Sequence, residues 1–297
     1  MRLKPLISLP LAVLASACIS KVELVQAPIV FDPVIGTEVR ASDMSIPFPE
    51  DKSFGVWALD SSTLSRYIDN EQVCFQDGEW APISHPLWPT SSSLSFVAYS
   101  PYTLPMGLES GELVLEGFDV AKEGTDILFA KAASGHEYGQ RDVKIPFVHA
   151  LSKLDMRVKN GFGDDIELRI DKIVLKGIAM RGSFHSSKHP YWRIDESSFD
   201  DIVIFDSGRD GQFLAGPTMQ FIGDVYSIIP QAVKPVVELT YSFRISDAEW
   251  IDGQKESVEL QDVYWEPGRY YTYSLNLNEV KLTYTTGVGH WNERNRE

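Results

Sequence analysis

Three residues at intervals of three, His149, Ser152 and Asp155 in FVHALSKLD, are the first chemistry the sequence offers: a base, a nucleophile and an orienting carboxylate. A nucleophilic serine needs an exposed turn with oxyanion donors beside it. This stretch has no Gly-x-Ser-x-Gly elbow and leads straight into a strand pattern, so structural roles are expected for all three. His185 and His189 in FHSSKHP have a spacing that chelates a metal on a helix. Ser186, Ser187 and Pro190 make the stretch a loop instead, and no third ligand is in view. Asp206 and Asp210 in DSGRDG echo a calcium loop, but Gly208 stands where a ligand is wanted and Pro217 where the closing Glu belongs. No phosphate loop, zinc spacing or paired acid–base signature appears. The chain is expected to be no enzyme and to need no metal or cofactor.

The cysteines carry a different chemistry. The chain has two, Cys18 and Cys74. Arg2 and Lys4, an apolar run from Leu6 to Ala15 and the small residues Ser16 and Ala17 make residues 1–17 an export signal. The run is shorter than the roughly 20 apolar residues that span a bilayer permanently. Exported proteins can form disulfides, so a Cys18–Cys74 bridge is one reading. The other comes from LASAC, residues 14–18, which resembles the lipobox of bacterial lipoproteins. That resemblance implies acylation (palmitate) on Cys18 as the first mature residue, leaving Cys74 a lone thiol. Several acyl chains would anchor the protein stably, as a single chain does not. Ile19 and Ser20 show no acidic retention signal, which favours the outer membrane. Cys74 in QVCFQ reads as a buried strand residue.

The elements that must position such groups read as strands. Short alternating runs recur from FGVWAL (54–59) and SLSFVAYS (93–100) to RYYTYSLNL (269–277) and VKLTYTT (280–286). Turn signals such as DGEW (77–80), NGFGDD (160–165) and EPG (266–268) separate them. Helical turns are expected only near Ser61–Asp69 or His149–Lys153. Trp57, Trp80 and Trp88 are expected in the core of the first half. Many short strands with frequent turns indicate an all-β fold of β-sandwiches. Roughly 280 mature residues exceed one compact core, so two domains are expected. The polar AASGHEYGQRD (132–142) marks the break, giving residues 41–143 and 144–297. A net charge of −15, which becomes −17 once Arg2 and Lys4 leave with the signal, repels phosphate backbones and excludes nucleic acid as a partner.

An ordered set of motifs carries a second resemblance. FGVWALDSS, GEWAPISHPLWPTSSSLSFVAYSPY, TDILFAKA, IPFVHALSKLDMRVKN, YSIIPQ and VYWEPGRYYTYSLNLN run from Phe54 to Asn278. Together they resemble the fimbrillins, lipoprotein pilin subunits of anaerobic Gram-negative bacteria. The resemblance implies two tandem Greek-key, transthyretin-like β-sandwich domains and a place in surface fimbriae that serve cell adhesion. It also implies cleavage by a trypsin-like protease between Arg40 and Ala41. Removing the apolar arm 18–40 would open a groove that a strand from another fimbrial subunit fills. An uncut edge strand behind the lipid tether reads equally well from the residues. Val280, Leu282 and Tyr284 alternate as a donor strand would, and as a closing strand would. Two functions follow as expectations: a polymerising fimbrial subunit at the cell surface, or a non-polymerising outer-membrane lipoprotein that binds glycan or protein ligands.

Overall fold

Alternation of buried and exposed side chains governs the chain. The computed structural model describes residues 27–36, 45–131, 136, 142–261, 263–279 and 281–291. In the first half the strands are β1 (Phe31–Ile35), β2 (Ile46–Pro47), β3 (Phe54–Asp60), β4 (Arg66–Gln76) and β5 (Glu79–Pro82). They continue with β6 (Leu94–Ser100), β7 (Gly107–Glu109), β8 (Glu112–Asp119), β9 (Leu128–Lys131) and β10 (Val143–His149). Eight of them form one sheet in the order β10-β9-β6-β3-β4-β5-β1-β2. A parallel pairing of β1 with β10, from Phe31↔Val143 to Ile35↔Phe147, closes that sheet into a barrel. This closure departs from the open two-sheet sandwich expected for the first half. It arises because β1 lies between β5 and β10 and bonds to both. Phe54, Val73, Trp88, Phe96, Ile145 and Phe147 fill the interior. The Asp77-Gly78 turn between β4 and β5 has φ of 52° and 85°, the positive values that a two-residue hairpin requires.

The second half contributes β11 (Ser152–Asn160), β12 (Ile166–Ala179), β13 (Arg181–His185), β14 (Tyr191–Ile194), β15 (Phe199–Asp206) and β16 (Phe213–Ala215). After these come β17 (Gln220–Ile228), β18 (Ala232–Val233), β19 (Val236–Ile245), β20 (Ile251–Glu259), β21 (Val263–Tyr264), β22 (Arg269–Leu277) and β23 (Leu282–His290). Sheets β17-β11-β22-β23 and β15-β12-β19-β20 face each other across one core that holds Met156, Ile170, Leu239, Trp265 and Tyr273. This half is a β-sandwich. Gly223 lets β17 bulge where its pairing with β11 shifts register; its φ is +70°, and an added Cβ would overlap the Ile204 carbonyl oxygen. Gly223→Ala is therefore expected to cost about 2–3 kcal/mol, read from the urea unfolding midpoint.

A further sheet, β14-β13-β8-β7, takes strands from both halves, with Arg181↔Asp119 and Phe184↔Leu115 in register. Its inner face and the outer face of the barrel bury Trp57, Tyr99, Phe129 and Phe184. The two halves are thus joined by backbone pairing. Strand β10 begins at the boundary marked by AASGHEYGQRD and belongs to the barrel. No helix forms between Ser61 and Asp69, where a turn feeds β4, or at His149–Lys153, where β10 passes into β11.

Burial of the Tyr273 hydroxyl, which accepts a hydrogen bond from Trp265 Nε1 at 3.0 Å, pushes it from the ordinary 10 up to about 12. A folded-state value above the unfolded one gives stability that is whole below pH 10 and is lost as the pH rises toward 12. About 3 kcal/mol should vanish across that window, and Tyr273→Phe should flatten the loss in urea melts run at successive pH values.

Candidate functional site

The segment from Ala27 to Gly36 is the most consequential piece of the barrel, because it lies N-terminal to Arg40. Ile29, Phe31 and Ile35 point inward and are 0%, 4% and 7% exposed, while Asp32 faces solvent. Phe31 meets the rings of Phe54 and Phe96 edge-on at 5.9 and 5.3 Å. The backbone is held on both flanks. Val143 N–H donates to the Val30 carbonyl at 3.0 Å and Gly36 N–H to the Phe147 carbonyl at 2.9 Å. On the other side Ile29 N–H donates to Pro86 and Trp88 N–H to Ala27, each at 2.9 Å, and β2 pairs antiparallel through Val34↔Pro47. Pro33, which breaks the alternation in the sequence, supplies only its carbonyl, accepting from Phe48 N–H at 3.2 Å. The arm is an interior strand of a closed sheet, held by apolar burial and by main-chain bonds. Cys18, Arg40 and Ala41 lie outside the described residues.

At the other end of the chain, β23 pairs among the described residues with β22 alone, from Leu277↔Leu282 to Arg269↔His290. Leu282 is buried, but Thr285 to His290 are exposed, and Leu282 to Gly289 carry no charge. Trp291 pins the end of the strand. Its ring stacks on His149 at 3.9 Å, Lys153 Nζ lies 4.2 Å from the ring centre, and its backbone N–H donates to the Gly268 carbonyl at 2.9 Å.

The residues weighed for catalysis and metal binding are employed elsewhere. His149 Nδ1 bonds Asp126 at 2.8 Å, Ser152 Oγ donates to the Glu266 carbonyl at 2.7 Å, and Asp155 Oδ2 accepts from Tyr270 at 2.9 Å. The three therefore form no relay. His185 stacks on Tyr191 at 4.9 Å, and the His189 carbonyl accepts from Ser187. Asp206 binds Lys172 at 3.1 Å, while Arg209 grips Asp210 and pulls its carboxyl down to about 2. Among the described residues no three His, Cys, Asp or Glu side chains gather as a metal would need, and no helix is long and apolar enough to cross a membrane. Cys74 is half-buried on β4, where Val73 is the neighbour that enters the core. Trp80 and Trp88 fill the barrel, whereas Trp57 points outward beneath the shared sheet.

The inner wall against which β1 rests was not singled out from the sequence. Its signal was present: Val143, Ile145 and Phe147 alternate in VKIPFVH, although Pro146 reads as a break. Pro146 pairs opposite Val34 within the sheet.

Solved structures of Bacteroides proteins share this all-β fold. A fimbrial protein of Bacteroides vulgatus superposes with a TM-score of 0.61 at 12% identity, covering 89% of this chain and 99% of that one. A protein of Bacteroides ovatus provisionally assigned to cell adhesion gives 0.58 at 18% identity, covering 90% and 98%. A Bacteroides uniformis protein with the same provisional assignment gives 0.58 at 16%, covering 89% and 98%. No curated protein matches the chain. The model of the fimbrillin-like family matches residues 40–291, so the chain belongs to that family, and its role is that of a fimbrial protein.

Proposed function

We propose that the protein is made as a lipid-anchored precursor and becomes, once cleaved, a subunit of adhesive surface fimbriae that polymerises by strand exchange. Acylated Cys18 tethers it to the outer membrane, cleavage between Arg40 and Ala41 detaches residues 18–40, and a strand from another subunit takes the place of β1. One observation carries this reading: the strand lying N-terminal to Arg40 is an interior strand of the barrel, bonded on both flanks and buried at Ile29, Phe31 and Ile35. Losing such a strand leaves a slot with unpaired N–H and C=O groups and apolar pockets at alternate positions, which is what an added strand requires. The barrel and the sandwich are read as a tandem pair of transthyretin-like Greek-key domains, with the chain passing between them after residue 143 or, counting β10 with its barrel, after His149. As a fimbrial component the protein is no enzyme; its work is mechanical and adhesive.

The tether is tested separately from the assembly. Cys18→Ala should move the protein out of the membrane fraction or leave the signal uncut, since it removes the thiol that would carry the acyl chain. Unchanged partitioning of that variant would remove the anchor from this account.

A further inference from the structure

The outer face of sheet β17-β11-β22-β23 holds a groove of about 590 Å³ that strand exchange does not use. Its position follows from strand register. Met156, Val158, Tyr273 and Leu275 turn into the sandwich core, so Arg157 and Ser274 face outward. Phe221, Arg157, Ser274 and Thr285 make one cross-strand row, and Asp155, Thr272 and Gly287 make the next. Gly287 and Gly289 hollow the face, because β23 has no side chain at those positions.

Arg157 is one of two arginines without a carboxylate partner among the described residues, the other being Arg193, which bonds His185. The Arg157 guanidinium lies 4.0 Å over the Phe221 ring, and its Nε is buried without an acceptor among the described residues. By contrast Arg66, Arg169, Arg181, Arg209, Arg244 and Arg269 each pair with an Asp or Glu. A planar guanidinium held flat by an aromatic ring, with unspent donors, suits a bidentate oxyanion. Asp155, one row away, is wholly buried; its Oδ2 accepts from the Tyr270 hydroxyl, and its Oδ1 has no hydrogen-bond partner among the described residues. Around Arg157 the outward-facing lining consists of Tyr270, of hydroxyls from Thr272, Ser274 and Thr285, and of glycine backbone, whereas Val288 pairs with Tyr271 and turns its side chain to the opposite face. Hydroxyls beside one unpaired cation match a sugar that carries an acid group better than they match an apolar peptide.

We propose that this groove binds an acidic saccharide, with the carboxylate or sulfate on Arg157 and ring hydroxyls on Thr272, Ser274 and Thr285. The site stands on sheet geometry and requires no strand exchange. Because β23 forms one wall, the groove is complete only while that strand stays on its own domain. Binding is thereby assigned to a subunit that has not donated β23, such as one at a filament end.

The test uses the full mature chain carrying Cys18→Ala and Arg40→Ala, which keeps it soluble and untrimmed, with saturation-transfer NMR as the readout. The probes are N-acetylneuraminic acid, galactose 6-sulfate, neutral galactose, inorganic sulfate and an acidic tetrapeptide. Saturable binding of one or both acidic sugars is expected, the pair distinguishing carboxylate from sulfate. Arg157→Gln should weaken it by about tenfold or more, because it removes a charge-assisted bidentate contact. Gly287→Val should also block the groove without touching Arg157, since a Cβ there meets nothing closer than Thr272 at 3.9 Å. Arg66→Gln should change nothing, and unaltered thermal melts should accompany each variant. The proposal is overturned if neither acidic sugar gives a saturable response in the millimolar range, or if both variants bind like the parent. It is equally overturned if galactose or sulfate alone binds as well as the acidic sugars, or if only the tetrapeptide binds.

Discussion

Protein cut after Arg40 is expected to leave the monomer pool and assemble, while Arg40→Ala protein exposed to the same protease stays monomeric. The magnitudes support a large effect. Ile29, Phe31 and Ile35 are each buried in the barrel, and large apolar side chains contribute about 1.5–3 kcal/mol apiece on full burial. Removing β1 also exposes main-chain groups of β10 on one side and of β5 and the Pro86–Trp88 segment on the other. Folded domains are stable by only about 5–15 kcal/mol, so a trimmed subunit would be marginal until another strand fills the slot. Light scattering after size-exclusion chromatography reads the outcome. Trimmed protein that stays monomeric at high concentration would end the strand-exchange reading. Such protein, still binding acidic sugars through Arg157, would leave the adhesive lipoprotein as the better account.

The second large effect concerns the other end of the chain. A chain ending at Glu279 should fold and be trimmed, yet fail to polymerise. Among the described residues no strand pairs with the outer edge of β23, and beyond Tyr284 its side chains bury little. Its departure costs the burial of Leu282 and the Trp291 clasp on His149, together with one row of pairing to β22. An uncharged, proline-free strand of this kind is what another sheet edge accepts most readily. Circular dichroism checks the fold of the shortened chain and light scattering its assembly. Polymerisation of the shortened chain at the parent rate would show that the donor lies elsewhere; loss of the β-sheet spectrum would show that β23 is a core strand.

Legibility varied with how closely side-chain pattern and burial coincide. Strands β3, β6, β8, β11, β12, β19 and β22 could be read because their apolar residues alternate or run continuously into a core. β20 could not, since in IDGQKESVE nearly every position is exposed or polar and only its pairing with β19 makes it a strand. β10 was obscured by Pro146, and barrel closure by the parallel β1–β10 contact, which links residues more than a hundred positions apart and leaves no local trace. The shared sheet escaped for the same reason: Phe184 and Leu115 pair across the two halves. The arm itself was legible as an apolar, β-rich segment. Its place inside the barrel was not, because Pro28 and Pro33 break the alternation that would have announced a central strand. The groove around Arg157 needed four strands in register, whereas in the sequence Arg157 is one cation in an alternating run.

The central claim is that the assembled subunit has exchanged β1 for another chain's strand, and the mass of subunits from isolated surface filaments tests it most directly. Intact-mass and N-terminal peptide analysis should find the bulk of those subunits beginning at Ala41, with residues 18–40 absent. Filament subunits that still carry acylated Cys18 and the Ala27–Gly36 strand would contradict it.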